Sequence, residues 1–559
     1  MRALAAAVAL VLIVPAGLRA QVGATTDIIT GVVTGPDSAP VSGAQVQVIS
    51  LESEVARTRT TDARGRFTIL FPDGGGQYRL VVRYIGMAPA TLAIARQADE
   101  DRLVANVQLQ PAAVTLEAVE VRARPNRGRG AETAGPGGTQ RVLTAEQLER
   151  LPIDAADLNL VATLAPGVVG LAATDSTEAA FSVAGQRPTA NNVTLDGLSY
   201  GSGSVPQDAI RTTRIVTNTY DVARGQFSGG LVAATTRSGT NEPQAAFTYN
   251  LRDRALAWGA ADRSAFGQGA TQNQLGGGIG GPLVQNRLFV FGSLQGRWNN
   301  QPLTALTSAD AAVLERYGVN ADSANRFLAL VDSSGLPFPA VSADRATDNA
   351  VGLMRLDWIA SDAHTLTLRL DGRRSTQDPT RVGALALPQT GGTRTQTGGG
   401  AYAGLTSYLG GRFINDAKLY VTGSRSRSDA YLDLPEGRVQ VASGLGDGAR
   451  GVATLAFGGN PSLPQRQDQS AAELSDELSL LAAGHRVKLG LWASGTRSTN
   501  DITPNRYGTY TYQSLDGLAA NEPIAFTRAI APAPQRGTTE NAAMYLGDTW
   551  RVVGGLQLA

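Results

Sequence analysis

The chain has 559 residues, with 49 basic against 48 acidic side chains, two histidines and no cysteine. The lack of cysteine excludes a disulfide framework and a thiolate metal site, and the balanced charge excludes the basic field of a nucleic-acid protein. Mean hydropathy is -0.09, and beyond the N-terminus no run reaches the roughly 18 uninterrupted apolar residues of a membrane helix, which leaves open a β-barrel whose apolar band is spread over alternate residues.

Residues 1–20 read as an export signal. Arg2 supplies the charge, Ala3 to Val14 is apolar, and Pro15-Ala-Gly breaks the run. The run is too short to span a bilayer, so a removed signal peptide is expected, cleaved after Ala20 or, alternatively, Ala24.

Residues 21–110 are expected to form a β-sandwich. Strand-like runs fall at Ile28 to Thr34, Ala44 to Ile49, Arg66 to Leu70, Tyr78 to Tyr84 and Leu103 to Leu109, separated by Gly, Pro and Asp clusters. The phrases GVVTGPDSAPVSGAQVQV, RTTDARGRFTI and GQYRLVVRYIGMAP resemble the carboxypeptidase regulatory-like domain. The name implies no peptidase, and the segment has no histidine for a zinc site of that type.

Residues 111–139 combine an extended, β-branched stretch (Val114, Thr115, Leu116, Glu117, Ala118, Val119, Glu120, Val121) with a linker rich in Pro, Arg and Gly. Such a stretch can add its backbone to the sheet edge of another protein, or simply be the last strand of the sandwich running into a linker.

Residues 140–239 read as a small α+β domain. Thr144 and Gln147 offer a capping box for a helix Ala145 to Arg150. A second helix is expected over Asp154 to Leu164, ended by Pro166-Gly167. Strands follow at Phe181 to Gly197, closed by Asp196-Gly197, at Ile210 to Thr219 and at Leu231 to Thr236. The phrases VAGQRPTANNVTLDG and YDVARGQFSGGLVAATTRSGTN resemble the plug of TonB-dependent outer-membrane receptors. That resemblance makes Gly185, Gln186, Arg187, Asn191, Asn192, Asp196, Gly197, Gly225, Phe227, Ser228, Gly229 and Gly230 the plug motif. It also makes 114–121 a Ton-box-like segment, with TonB and its inner-membrane energising complex as partners.

Gly197-Leu-Ser199-Tyr-Gly201 matches the Gly-x-Ser-x-Gly pattern of serine hydrolases. The loop that follows is not the helix start such a nucleophile needs. The later histidines, His364 and His485, lie in strand-like segments and are too far apart for a helical ligand pair.

Residues 240–559 carry long alternating strands. Leu366, Leu368 and Leu370 face one way and Thr365, Thr367, Arg369 and Asp371 the other. Asp416 to Thr422 and Arg486 to Ser494 repeat the pattern. GGPLVQNRLFVFGSLQGRW, LDWIASDAHTLTLRLDG and MYLGDTWRV resemble barrel segments of the same receptors. Trp298, Trp358 and Trp550 suit interfacial girdles, and Trp492 falls on the lumen side by parity. Thr304 to Asn349, Ser375 to Gln396 and Leu434 to Gln465 suit extracellular loops. About ten or eleven strands fit here, against about 22 in plugged outer-membrane transporters, so the chain is expected to be the N-terminal part of a longer receptor.

The expected fold is thus mainly β: an N-terminal β-sandwich, a small α+β plug and part of a transmembrane antiparallel β-barrel in a lipid bilayer. The resemblance implies import of an unknown external ligand by TonB-driven plug movement. The alternative is an outer-membrane structural or adhesion protein of the same architecture. No catalytic, cofactor or metal site is legible.

Overall fold

The computed structural model describes residues 27–111 and 139–558 apart from short internal stretches, the longest being 172–179 and 219–228. The signal-peptide and Ton-box-like readings therefore lie outside the described residues, as do Gly225, Phe227 and Ser228.

The N-terminal unit has strands β1 (Asp27–Thr34), β2 (Gln45–Ser50), β3 (Ala56–Thr60), β4 (Arg66–Phe71), β5 (Gln77–Arg83), β6 (Ala90–Ala95), β7 (Arg102–Val104) and β8 (Val107–Gln108). One sheet pairs β4 with β1, and β1 with β7 and β8; the other runs β3-β2-β5-β6. Alternate residues Val46, Val48, Leu80, Val82, Phe67 and Ile69 meet between the two layers, as a half-buried strand pattern dictates. Two expectations need correction. Leu103 to Leu109 is split into β7 and β8 because the exposed Asn106 stands between them, its side-chain Oδ1 in place of a backbone carbonyl accepting the Val32 N–H at 3.0 Å. Strands β3 and β6 gave no signal, since Thr, Arg and Ala alternation on edge strands carries little apolar contrast.

The second unit has β9 (Thr139–Thr144), α1 (Leu158–Ala162), β10 (Val168–Leu171), β11 (Ala180–Val183), β12 (Asn192–Leu195), β13 (Leu198–Ser199), β14 (Ile210–Asn218) and β15 (Leu231–Thr236). Its five-stranded sheet runs β13-β12-β15-β14-β9, with β12 and β15 parallel. The capping box forms: Thr144 N–H donates to Gln147 Oε1 at 3.0 Å and Gln147 N–H to Thr144 Oγ1 at 3.4 Å. Helix α1 is shorter than expected, starting where Asp157 Oδ1 accepts the N–H groups of Asn159 and Leu160. Edge strand β9 was not anticipated.

The rest of the chain supplies β16 (Gln244–Arg252), the small pair β17 (Arg263–Ser264) and β18 (Gly267–Gln268), then β19 (Thr271–Val284), β20 (Leu288–Pro302), β21 (Asp344–Ser361), β22 (His364–Thr380), β23 (Gly392–Leu409) and β24 (Phe413–Ala430). After β25 (Glu436–Gly444) and β26 (Arg450–Gly458) come β27 (Gln465–Ala482), β28 (His485–Asp501), β29 (Thr509–Tyr512), β30 (Ala525–Thr527), β31 (Gln535–Val553) and β32 (Leu556–Leu558). Eleven of these form one antiparallel sheet, β16-β19-β20-β21-β22-β23-β24-β27-β28-β31-β32. Its inward face wraps the second unit: Phe291, Leu353, Tyr402 and Tyr420 join that unit's core. The outward face carries Leu294, Met354, Leu368, Leu370, Val421 and Leu489, all exposed. The alternation read from the sequence therefore has the sense of a membrane barrel, apolar out and polar in. Trp298, Trp358 and Trp550 are exposed, with Trp298 toward the long-loop end and Trp358 and Trp550 toward the short-turn end.

Two of the three expected loops, Thr304 to Asn349 and Ser375 to Gln396, are shorter than their sequence suggests, while Leu434 to Gln465 does lie between β24 and β27 but carries β25 and β26. Strands β21, β22 and β23 run on through Asp344 to Asn349, Ser375 to Thr380 and Gly392 to Gln396. Beyond the apolar band both strand faces are polar, so the alternation that marks a strand disappears although the ladder continues. The remaining segments fold into a cap at the long-loop end. Helices α2 (Ala311–Arg316), α3 (Ala321–Ser333) and α4 (Leu515–Ala519) pack on the sheet β26-β25-β29-β30 around Phe327, Val331, Val439, Leu455 and Phe457.

Candidate functional site

Beside their shared apolar core, a buried charge cluster joins the second unit to the large sheet. Strands β12 and β13 form a hairpin whose two-residue turn is Asp196-Gly197, with φ of +54° and +92°. Both turn residues have positive φ, the type I′ arrangement that Asp-Gly favours. The turn points the Asp196 carboxylate at the inward face of β21 and β22. There Arg355 and Arg369, direct cross-strand partners, are each only 1% exposed.

Arg369 Nη1 donates to Asp196 Oδ2, and its Nε lies 3.3 Å from Asp371 Oδ1. Arg355 grips Asp357 with two bonds of 2.8 Å from Nε and Nη2, the bidentate fork geometry. Its Nη1 donates to Thr236 Oγ1 at 2.8 Å and stands 3.8 Å from Asp196 Oδ1. Thr236 completes the relay: its N–H and hydroxyl both donate to the Asp196 carboxylate at 2.9 Å. The guanidinium of Arg369 also faces the rings of Tyr402 and Tyr420, at 4.9 and 5.3 Å from their centroids. Burial alone would raise the Asp196 pKa, but Arg369, Arg355 and the Thr236 N–H outweigh it and hold the carboxyl below its ordinary value.

The other motif residues divide into two groups. Asn191, Gly229 and Gly230 build a joint between β11, β12 and β15. Asn191 Nδ2 donates to the Phe181 carbonyl at 2.6 Å, and its Oδ1 accepts the Gly230 N–H at 2.8 Å. A Cβ on Gly229 would stand 2.2 Å from Asn191 Oδ1 and one on Gly230 2.6 Å from Val183 Cγ2, so the close approach itself requires glycine. Asn192 opens β12, its N–H donating to the Gly230 carbonyl at 2.9 Å. Gly185, with φ +77°, makes the turn after β11, where Gln186 and Arg187 are exposed and stand outside the Asp196 cluster. Arg355, Asp357 and Thr236 were not singled out by sequence reasoning. A signal was present: Arg-Leu-Asp occurs at 355–357 and again at 369–371, on neighbouring strands.

Ser199 lies in β13, and its N–H donates to Glu473 Oε2 at 3.0 Å. Glu473 Oε1 in turn accepts from the Trp492 indole at 2.7 Å, which fixes Trp492 on the inward face as its parity required. The two histidines are engaged elsewhere: His364 with Ser407 at 2.9 Å, and His485 with Asp548 at 2.7 Å while stacked on Trp550. The arrangement is a hairpin seat, not a hydrolase elbow. Toward the long loops, a cavity of about 260 Å³ opens between Tyr200-Gly201 and the inward face, lined by Arg373, Gln396, Gln467 and Asn500 among others.

Comparisons with known proteins agree with this architecture. Residues 28–110 match the carboxypeptidase regulatory-like domain family, and residues 235–334 and 326–559 match the outer membrane beta barrel domain family. The TonB-dependent transporter Oar of Myxococcus xanthus is 24% identical over 406 residues, covering 68% of this chain and 36% of its own length. The chain thus spans about a third of that relative. The outer membrane transporter YddB of Escherichia coli superposes with a TM-score of 0.53 at 15% identity, covering 75% of this chain and 56% of its own. A ferric enterobactin receptor of Pseudomonas aeruginosa reaches 0.47 at 14% identity, covering 75% and 56%.

Proposed function

Because the chain belongs to the outer membrane beta barrel domain family, and so to the outer membrane of a Gram-negative cell, we propose that it is a TonB-dependent receptor that imports an external ligand. In this reading residues 140–239 are its plug. The long loops face the exterior and the short turns the periplasm, as in other outer-membrane barrels. Ligand enters from the cap side and meets the plug tip at Tyr200-Gly201. TonB, powered from the inner membrane, takes residues 114–121 as an added strand and pulls.

The observation that carries the reading is the Asp196 cluster. One hairpin turn, bonded to two buried arginines of the sheet, holds a folded domain across the path through the barrel. Pairing in a low-dielectric site is stable while intact and collapses when one partner is withdrawn. A pull on the plug's N-terminus therefore meets a concentrated polar contact, beside the Ser199–Glu473 bond and the shared apolar core. Both arginines stay with the sheet, so the broken lock can reform when the plug returns.

The decisive experiment is binding of a peptide covering residues 113–124 to the periplasmic domain of TonB, with Val119→Pro as control. Proline removes a backbone donor and prevents strand addition. Binding that the substitution abolishes supports energised import. Absence of binding, by the peptide and by the whole protein, favours a structural or adhesion role for the same architecture.

A further inference from the structure

The inward face of the large sheet is polar over most of its height, with Arg355, Asp357, Arg369, Asp416 and Glu477 buried along it. Near the short-turn end it changes character. Phe289 of β20, Ile359 of β21, Tyr408 of β23, Ile414 of β24 and Leu481 of β27 all fall on inward-facing positions there. They form an apolar collar just inside the mouth. A lumen open to water would leave these side chains wet, which the hydrophobic effect opposes.

The N-terminal sandwich covers them. Ile28 and Leu70 form one apolar cluster with Ile414, Tyr408 and Leu481. Phe289 and Ile359 pack into the sandwich's own core cluster. Ile28 and Ile414 are both 0% exposed. Polar contacts ring this apolar centre. The Arg59 guanidinium pairs with Asp362 at 3.6 Å, in the turn between β21 and β22, and Arg57 reaches Thr365 at 3.4 Å. The Ala56 N–H donates to Asn286 Oδ1 at 3.3 Å, and Asn241 Nδ2 to the Glu54 carbonyl at 3.0 Å.

We propose that the carboxypeptidase regulatory-like domain is a stopper seated in the inner mouth of the barrel, with the five-residue collar as its seat. Seated, it closes the lumen below the plug. It has a core of its own, so it leaves the seat as a folded body. The chain order supplies a release. Residues 112–138 join the end of the sandwich to the start of β9, so tension on 114–121 acts on the stopper and the plug together. The seat does not depend on the transport reading; only its release by TonB does.

The absence of cysteine makes the test direct. Ser479, directly paired with Ile414 and 0% exposed, is replaced by Cys in the full chain in cells. Its reaction with a water-soluble maleimide admitted to the periplasm is timed. The stopper predicts slow labelling that rises at least about tenfold when Leu70→Asp spoils the seat, because access then no longer waits for local opening. Arg59→Glu is the second variant. It repels Asp362 from the sandwich surface, leaves the sandwich core untouched, and should also speed labelling. Equal rates in the parent and both variants would overturn the proposal. Protection that is lost in energised cells only while Val119 is intact assigns release to TonB. Protection and seat effects that persist while Val119→Pro changes nothing leave the stopper standing and sink the transport reading.

Discussion

Asp196 and Arg369 meet across the boundary between the plug-like domain and the sheet around it, 173 positions apart in the chain. Neither charge has water to fall back on: Arg369 is 1% exposed and Asp196 8%. Each is tolerable only because the other is present, together with Thr236, Asp371 and the surrounding tyrosine rings.

Removing the carboxylate should therefore cost more than a surface ion pair. Asp196→Ala leaves two guanidinium groups short of a partner and is expected to weaken seating of the inner domain by about 3 kcal/mol. Trp492 is the probe, since Glu473 ties its indole to the Ser199 N–H. The urea midpoint of its fluorescence change should fall in Asp196→Ala, and Asp196→Ala with Arg369→Ala should cost less than the sum of the two single changes. Strict additivity would show that the pair does not act as a unit.

The pH dependence follows from the direction of the Asp196 shift. Its pKa is below the ordinary 3.8 in the folded protein, so its contribution is fully present above that value and is lost as pH falls through the lower, folded one. The Trp492 midpoint should show no Asp196-linked change between about pH 8 and pH 5, and should weaken only in more acid solution. Asp196→Asn should abolish that acid step. A step near neutral pH that vanishes in Asp196→Asn would contradict the assignment.

The joint at Asn191 uses donor and acceptor at once. Asn191→Asp keeps the acceptor for Gly230 but sets a carboxylate against the Phe181 carbonyl, and should cost about 1–3 kcal/mol. Gly229→Ala should be at least as harmful, because its Cβ would stand 2.2 Å from an Asn191 oxygen that two hydrogen bonds hold in place. Protease sensitivity of the inner domain in detergent would rank the two against the parent.

Ser199→Ala should change almost nothing. Only the backbone N–H of Ser199 serves Glu473, so the Trp492 midpoint should move by no more than about 0.5 kcal/mol. Glu473→Ala, which frees both the N–H and the indole, should move it clearly. An esterase activity lost in Ser199→Ala would reopen the hydrolase pattern.

Much of this protein is written locally. The lipid-facing alternation of Leu366 to Leu370, the Asp-Gly turn at 196–197, the capping box at Thr144 and the turn-spaced strands of the sandwich are decided by periodicity and by residues within a few positions of one another. Such features are legible because each residue's environment follows from its neighbours in sequence. The lock and the collar are different. Thr367, Arg369 and Asp371 read as one polar strand face, and nothing local says that this face meets a buried hairpin and not water. Phe289, Ile359, Tyr408, Ile414 and Leu481 are scattered over five strands and become a ring only when register aligns their ends. The polar ends of β21 and β22 fail for a third reason: outside the bilayer neither face is required to be apolar, so the strand persists without its signal. The sequence by itself determined the strands whose two faces differ in polarity, and which of those faces is apolar. Only the tertiary structure decided what each face is pressed against, because burial of a charge or an apolar ring is a property of partners brought together from distant parts of the chain.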